Sequence, residues 1–326
     1  MISAIGTPLG KDESLHQEGL ERLLETQWRA GINGVLVAGT MGLLQLLRDE
    51  TYAELVEHSV NLCNGRGQLL VGVGDAGFAR TADRIRYVNG FSVDGVVAIT
   101  PYFIQFKQDE LIDYYRALAD ISKAPLYLYD LPSMARAKLD VATVVELSKH
   151  PNIVGIKCSG DLSDTLELIR LVDDSFSVIV AQADRVDTLC KVGVANHLDG
   201  VFSLAPEWTR QIAAAAETVN WNRAAALQRQ LTSLLMLLHE FGVFPAYNEL
   251  MRARGIPGLF APLPFRTLDE SNREKLLGNE ISEALQAFKQ ARTDPPHEGK
   301  PPLGVPTNGA STRSSKHSSR VNRQES

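Results

Sequence analysis

The sequence predicts an α/β chain: a (β/α)8 TIM barrel, a C-terminal helical extension and a disordered C-terminal tail. Three observations predict it. Eight short runs rich in Val, Ile and Leu recur along the first part of the chain, segments with helical spacing lie between them, and the composition changes abruptly from Thr293. Continuous apolar runs fit strands that are covered on both faces, as in parallel sheets. Eight of them alternating with helices match a barrel, which typically occupies about 250 residues.

In order, the expected strands are Ile2–Thr7, Gly34–Ala38, Leu69–Val73, Gly95–Ile99, Pro125–Tyr129, Ile153–Lys157, Ser177–Ala181 and Gly200–Leu204. Gly, Pro or Asp bounds many of them, as strand ends require. Helical spacing between them is carried by Leu20, Leu23, Leu24 and Trp28, and again by Leu111, Tyr114, Tyr115 and Leu118. A doubly wound open sheet shows the same alternation, and periodicity by itself does not separate the two. Residues 1–205 therefore read as the barrel. Residues 206–292 read as helices only, with Trp221–Phe241 the longest, forming an extension without a core of its own. Residues 293–326 hold five prolines, six serines and three glycines and too few apolar side chains to offset ordering, so they read as a tail.

The whole chain has 326 residues, 44% hydrophobic and 22% charged, with a net charge of -6. A chain of this size buries most of its surface without disulfide or metal, and its charge balance recruits no nucleic acid. Cys63, Cys158 and Cys190 are far apart with no CxxC spacing, which argues against a zinc ribbon and a secreted disulfide scaffold. No apolar run reaches the roughly 18 residues of a membrane span, and Met1–Ile5 does not read as a signal peptide. A cytoplasmic protein is expected.

Gly72-Val73-Gly74-Asp75-Ala76-Gly77 matches a dinucleotide-binding fingerprint, and Asp94 follows at about the right distance. That acid must end the next strand to reach a ribose. Asp94 instead precedes Gly95–Ile99, so a tight strand-to-helix turn is the better reading and no nicotinamide cofactor is expected. The seven histidines form no HxxH or HExxH pair and no metal site is expected; Gly-x-Ser-x-Gly is absent.

Candidate chemistry lies at the strand ends, where barrel enzymes place their active sites. Lys157 ends the sixth run, where burial disfavours the ammonium and frees the amine as a nucleophile; a strand-end lysine snorkelling to solvent is the plainer alternative. Tyr129 ends the fifth run and could pass a proton to the reacting carbons, whereas Tyr127 shares its face and either could be a core residue. Gly39-Thr40-Met41-Gly42 follows the second run, and such glycines let backbone N–H groups approach an anion while Thr40 adds a hydroxyl.

These pieces together resemble the pyruvate-dependent class I aldolases and lyases typified by dihydrodipicolinate synthase and N-acetylneuraminate lyase. The resemblance rests on Gly6-Thr7-Pro8, Gly39-Thr40-Met41-Gly42, Thr100-Pro101-Tyr102-Phe103, Tyr129-Asp130-Leu131-Pro132 and Gly155-Ile156-Lys157, in the family's order. It implies that Lys157 forms a Schiff base with a 2-oxo acid, usually pyruvate or an acid containing it. It implies that Tyr129 shuttles the proton, and that Thr40 with the amides of Met41 and Gly42 holds the carboxylate beside Gly39. It adds Phe103, Gln182, Asp184 and Phe202 as substrate contacts, no cofactor, and assembly as a homodimer or homotetramer.

Four departures stand out. Met41 and Leu43 replace a hydroxyl residue and a glutamate, Phe103 stands where a synthase commonly has a second tyrosine, and Met134 replaces an arginine, with Arg136 two residues later. After the seventh run Ala181-Gln182-Ala183-Asp184-Arg185 replaces the usual acidic turn. The expected function is therefore a lyase or aldolase acting on a pyruvate-containing, sugar-derived 2-oxo acid. A hydro-lyase on a 2-oxo-3-deoxy acid, the synthase of lysine biosynthesis, and a barrel that binds a 2-oxo acid without turnover are the alternatives.

Overall fold

A computed structural model of the chain describes residues 1–290, and the tail expected over 293–326 lies outside the described residues. Eight parallel strands are found: β1 (Ile2–Ala4), β2 (Gly34–Val37), β3 (Gln68–Gly72), β4 (Gly95–Ile99), β5 (Leu126–Asp130), β6 (Ile153–Cys158), β7 (Ser177–Val180) and β8 (Leu198–Asp199). Their order is β7-β6-β5-β4-β3-β2-β1-β8. A parallel bridge between Val180 and His197, with the Val180 amide 2.9 Å from the Asn196 carbonyl, brings β7 to β8 and nearly closes the barrel. The open-sheet alternative is thereby excluded.

Strand alternation divides the apolar residues into two sets. Leu36, Leu70, Val97, Tyr127, Tyr129 and Ile179 pack together inside the barrel. Val35, Val71, Ala98, Leu128, Ile156 and Val178 face outward into the layer shared with the helices. Tyr127 fills the interior on β5 because its neighbours lack side chains: a Cβ on Gly95 would come within 2.6 Å of the ring, and one on Gly155 within 2.8 Å.

The eighth strand departs from expectation. The run Gly200–Leu204 is not a strand; β8 ends at Asp199, and Val201–Leu204 is a short helix. The Asp199 carboxylate takes the Val201 amide at 3.1 Å, and the Ser203 and Ala205 amides donate to the Gly200 and Val201 carbonyls. These local bonds turn the backbone helical although the residues are apolar. Phe202 is consequently fully buried in the layer outside the barrel.

Beyond Pro206 the helices include Pro206–Glu217, Trp221–Phe241 and Val243–Ala253. Trp208, Ile212, Leu231 and Tyr247 belong to the same core cluster as the outward faces of the strands. Tyr247 shares a 2.8 Å hydrogen bond with the Ser203 hydroxyl and accepts from the Gly6 amide at 3.2 Å. No helix among the described residues is long and apolar enough to cross a membrane.

Candidate active site

Tyr129 and Lys157 are register partners on β5 and β6, so their side chains emerge on one face at the C-terminal end of the barrel. Both are almost fully buried, at 5% and 6% exposure. The Lys157 Nζ lies 3.8 Å from the centroid of the Tyr129 ring, within the range in which a cation is attracted to an aromatic face. Lys157 does not snorkel to solvent.

The Tyr129 hydroxyl is 3.2 Å from Thr40 Oγ1. Thr40 sits in the turn after β2, whose backbone is fixed by Leu43 N donating to the Thr40 carbonyl at 3.1 Å. A cavity at this end is lined by Leu36, Gly39, Thr40, Gly72, Ile99 and Tyr129. An amine, a phenol and a hydroxyl thus meet beside a glycine-flanked turn, a set suited to attack on a carbonyl and to proton transfer beside a bound anion.

The model of the dihydrodipicolinate synthetase family matches residues 1–284. The chain belongs to that family. A 4-hydroxy-tetrahydrodipicolinate synthase of Stenotrophomonas maltophilia (strain R551-3) is 34% identical over 211 residues, covering 62% of this chain and 71% of the relative. An N-acetylneuraminate lyase of Rhizobium meliloti (strain 1021) is 29% identical over 279 residues, covering 83% and 91%. The structure of the 4-hydroxy-tetrahydrodipicolinate synthase from Methylacidiphilum fumariolicum SolV matches with a TM-score of 0.80 at 25% identity, covering 89% of this chain and 96% of that one. Members of the dihydrodipicolinate synthetase family are aldolase-type lyases, and this chain is an enzyme of that kind.

The other residues singled out from the sequence fall into two groups. Gly39, Met41 and Gly42 share the turn with Thr40, and Met41 packs partly buried against the interior set, its Sδ 2.9 Å from where a Cβ of Gly200 would stand. Gln182 and Asp184 follow β7: the Gln182 amide donates to the Gly160 carbonyl at 3.1 Å, its buried Oε1 has no hydrogen-bond partner among the described residues, and Asp184 pairs with Arg185. Phe103 is 84% exposed with φ 79°, and Phe202 lies in the outer layer, so neither joins the cavity beside Tyr129.

Two carboxylates in this family member escaped sequence reasoning. Asp199 ends β8; its burial raises its pKa, while the Lys157 ammonium, acting through space, and the amides of Val201 and Gly200 oppose that rise. Asp130, beside Tyr129 but facing outward, accepts from the Leu139 amide at 3.0 Å and so ties the segment beyond the short helix Pro132–Ala135 back to the end of β5. Burial pushes its pKa up to about 6, against the Leu139 amide and the Lys138 ammonium. The neighbouring Cys158 thiol is pushed up to about 12, chiefly by burial and further by Asp130. Asp130 stands in the Tyr129-Asp130-Leu131-Pro132 motif, but nothing in the sequence marks its burial or its bond to Leu139.

Proposed function

We propose that Lys157 forms an imine with the C2 carbonyl of a 2-oxo acid, and that the enzyme makes or breaks a carbon–carbon bond beside that carbon. The observation that carries this reading is the buried Lys157 Nζ 3.8 Å from the Tyr129 ring, whose hydroxyl is bonded to Thr40. The amine attacks C2 and the adduct loses water. The iminium then takes the C3–C4 electron pair as the C4 hydroxyl gives up its proton. The enamine left behind is protonated at C3 and hydrolysed by water to free pyruvate and Lys157, and the reverse sequence joins the two halves. Tyr129 carries the proton to and from the reacting carbons. The substrate carboxylate rests on the Thr40 hydroxyl and on the amides of Met41 and Gly42.

For the remainder of the substrate, a polyhydroxylated chain is the better fit. In a synthase of this family an arginine fork holds the carboxylate of the second substrate, and such a pair is bidentate and directional. Met134 stands at that place, 59% exposed and without charge. Arg136 is displaced to the end of the short helix Pro132–Ala135, in the left-handed conformation at φ 57°. Gln182 and Asp184 offer donors and acceptors for hydroxyl groups.

The synthase reading is favoured by a different observation, the 34% identity to a 4-hydroxy-tetrahydrodipicolinate synthase. A hydro-lyase shares the imine and differs only in the bond broken. The deciding experiment compares kcat/KM for pyruvate condensation with aspartate semialdehyde and for pyruvate release from a panel of polyhydroxylated 2-oxo acids, on one preparation. Release from at least one panel acid is expected to win. A tenfold advantage for aspartate semialdehyde, about 1.4 kcal/mol, would establish the synthase instead.

A further inference from the structure

The glycine-rich segment Gly72–Gly77 takes no part in the chemistry above, yet its first glycine touches the turn that does. Ala38, which precedes that turn, has φ 51°, and Leu43, which follows it, has φ 55°; both are non-glycine residues in the left-handed region. Such a backbone persists only where its surroundings over-determine it.

Two contacts do so from opposite sides. On the β1 side, the Thr7 hydroxyl donates to the Gly42 carbonyl at 2.7 Å, and Thr7 is 4% exposed. On the β3 side, Gly72 lies so close that a Cβ there would be 1.9 Å from the Ala38 carbonyl oxygen and 3.2 Å from the Gly39 nitrogen. Gly72 is itself held from behind: Tyr52, on the helix Asp49–Cys63, donates its hydroxyl to the Gly72 carbonyl at 3.1 Å. The turn is therefore fixed between two strands, with Thr40 aimed at Tyr129.

We propose that Thr7 and Gly72 are positioning residues that hold the Gly39–Gly42 turn in its anion-binding shape, and that this is what the first glycine of the G-x-G-x-x-G segment is for. The inference deepens the reading of Lys157 as an imine-forming residue and rests on it. Neither residue touches the reacting atoms; each acts through the backbone of the turn. Loosening the turn removes prepaid ordering of the amides that meet the carboxylate, so it weakens binding of the 2-oxo acid without altering the amine that reacts.

The test uses the full-length protein, with pyruvate and borohydride, and reads the pyruvate concentration that gives half-maximal modification of Lys157. Thr7→Val removes the donor at almost constant volume and is expected to raise that concentration roughly three- to tenfold, the span of one buried hydrogen bond. The modification at saturation should be unchanged, and Thr7→Ser should restore the wild-type value. Gly72→Ala is expected to raise it further. If valine is not tolerated, Thr7→Ala removes the same donor and gives the same reading. A half-saturation unchanged in Thr7→Val and Thr7→Ala, or in Gly72→Ala, overturns the inference, as does a loss confined to the plateau. If the wild-type protein forms no adduct at any concentration, the failure lies with Lys157 and not with the clamp.

Discussion

Lys157 places its Nζ 3.8 Å from the centre of the Tyr129 ring, and the two residues are register partners on adjacent strands. One contact is with the ring face and the other, from Thr40, is with the hydroxyl, so the roles of ring and phenol can be separated. Tyr129→Phe keeps the face that Lys157 packs on and removes the proton carrier. It should leave borohydride trapping of pyruvate within a few-fold of wild type while lowering turnover by roughly 10²–10⁴. Parallel trapping and turnover assays check this, and equal losses in both would mean that the hydroxyl serves imine formation itself.

Tyr127 shares the interior face with Tyr129 but lies deeper, wedged between Gly95 and Gly155. Among the described residues its hydroxyl has one long contact, 3.5 Å from the Gln68 side-chain amide. Tyr127→Phe should therefore leave turnover unaltered and cost less than about 1 kcal/mol in stability. Gly155→Ala should destabilise by about 1–3 kcal/mol, because the added methyl meets the Ser177 carbonyl oxygen at 2.5 Å and the Tyr127 ring at 2.8 Å. Denaturant unfolding of both variants measures the contrast.

The Asp130 carboxyl has a folded pKa of about 6 against an ordinary value of 3.8. Its folded pKa is raised, so its stabilising contribution is complete below the unfolded value and is lost as the pH rises through the folded one. Asp130→Asn keeps an acceptor for the Leu139 amide and cannot ionise. At pH 8 it should be more stable than wild type by up to about 3 kcal/mol, and near pH 4 the difference should nearly vanish. Urea midpoints at the two pH values decide it, and a difference that does not depend on pH would assign the effect to packing.

Phe103 and Ile104 stand side by side at 84% and 61% exposure. Together with the family resemblance, this leads us to expect a homo-oligomer that covers them. Light scattering at micromolar concentration should show more than a monomer, and Phe103→Asp should reduce the assembly. A monomeric wild type would remove this expectation.

Seven of the strands were legible because β-branched and leucine runs bounded by Gly, Pro or Asp have no competing local structure. The eighth was misread at Gly200–Leu204, since Asp199 and Ser203 make short-range bonds that a hydrophobicity pattern does not register. The strand-end placement of Lys157 and Tyr129 was legible because each closes an apolar run, and strand ends converge at one mouth. Phe202 was misplaced along with its strand. Asp130 and Asp199 stayed hidden because their shifted titration comes from the folded surroundings: burial for Asp130, and for partly buried Asp199 desolvation opposed by the charge of distant Lys157. The same holds for Gly72: its spacing suggested a phosphate, whereas its neighbour in space is Ala38.

The central claim is that Lys157 is the amine that captures the 2-oxo acid. Incubation of the protein with pyruvate and borohydride, followed by peptide mapping, tests it most directly. One pyruvate-derived group should be found, on the peptide containing Lys157. Lys157→Ala and Lys157→Arg should both lose it, since a guanidinium stays protonated and does not attack. An adduct on another lysine, or one that survives in either variant, would contradict the account.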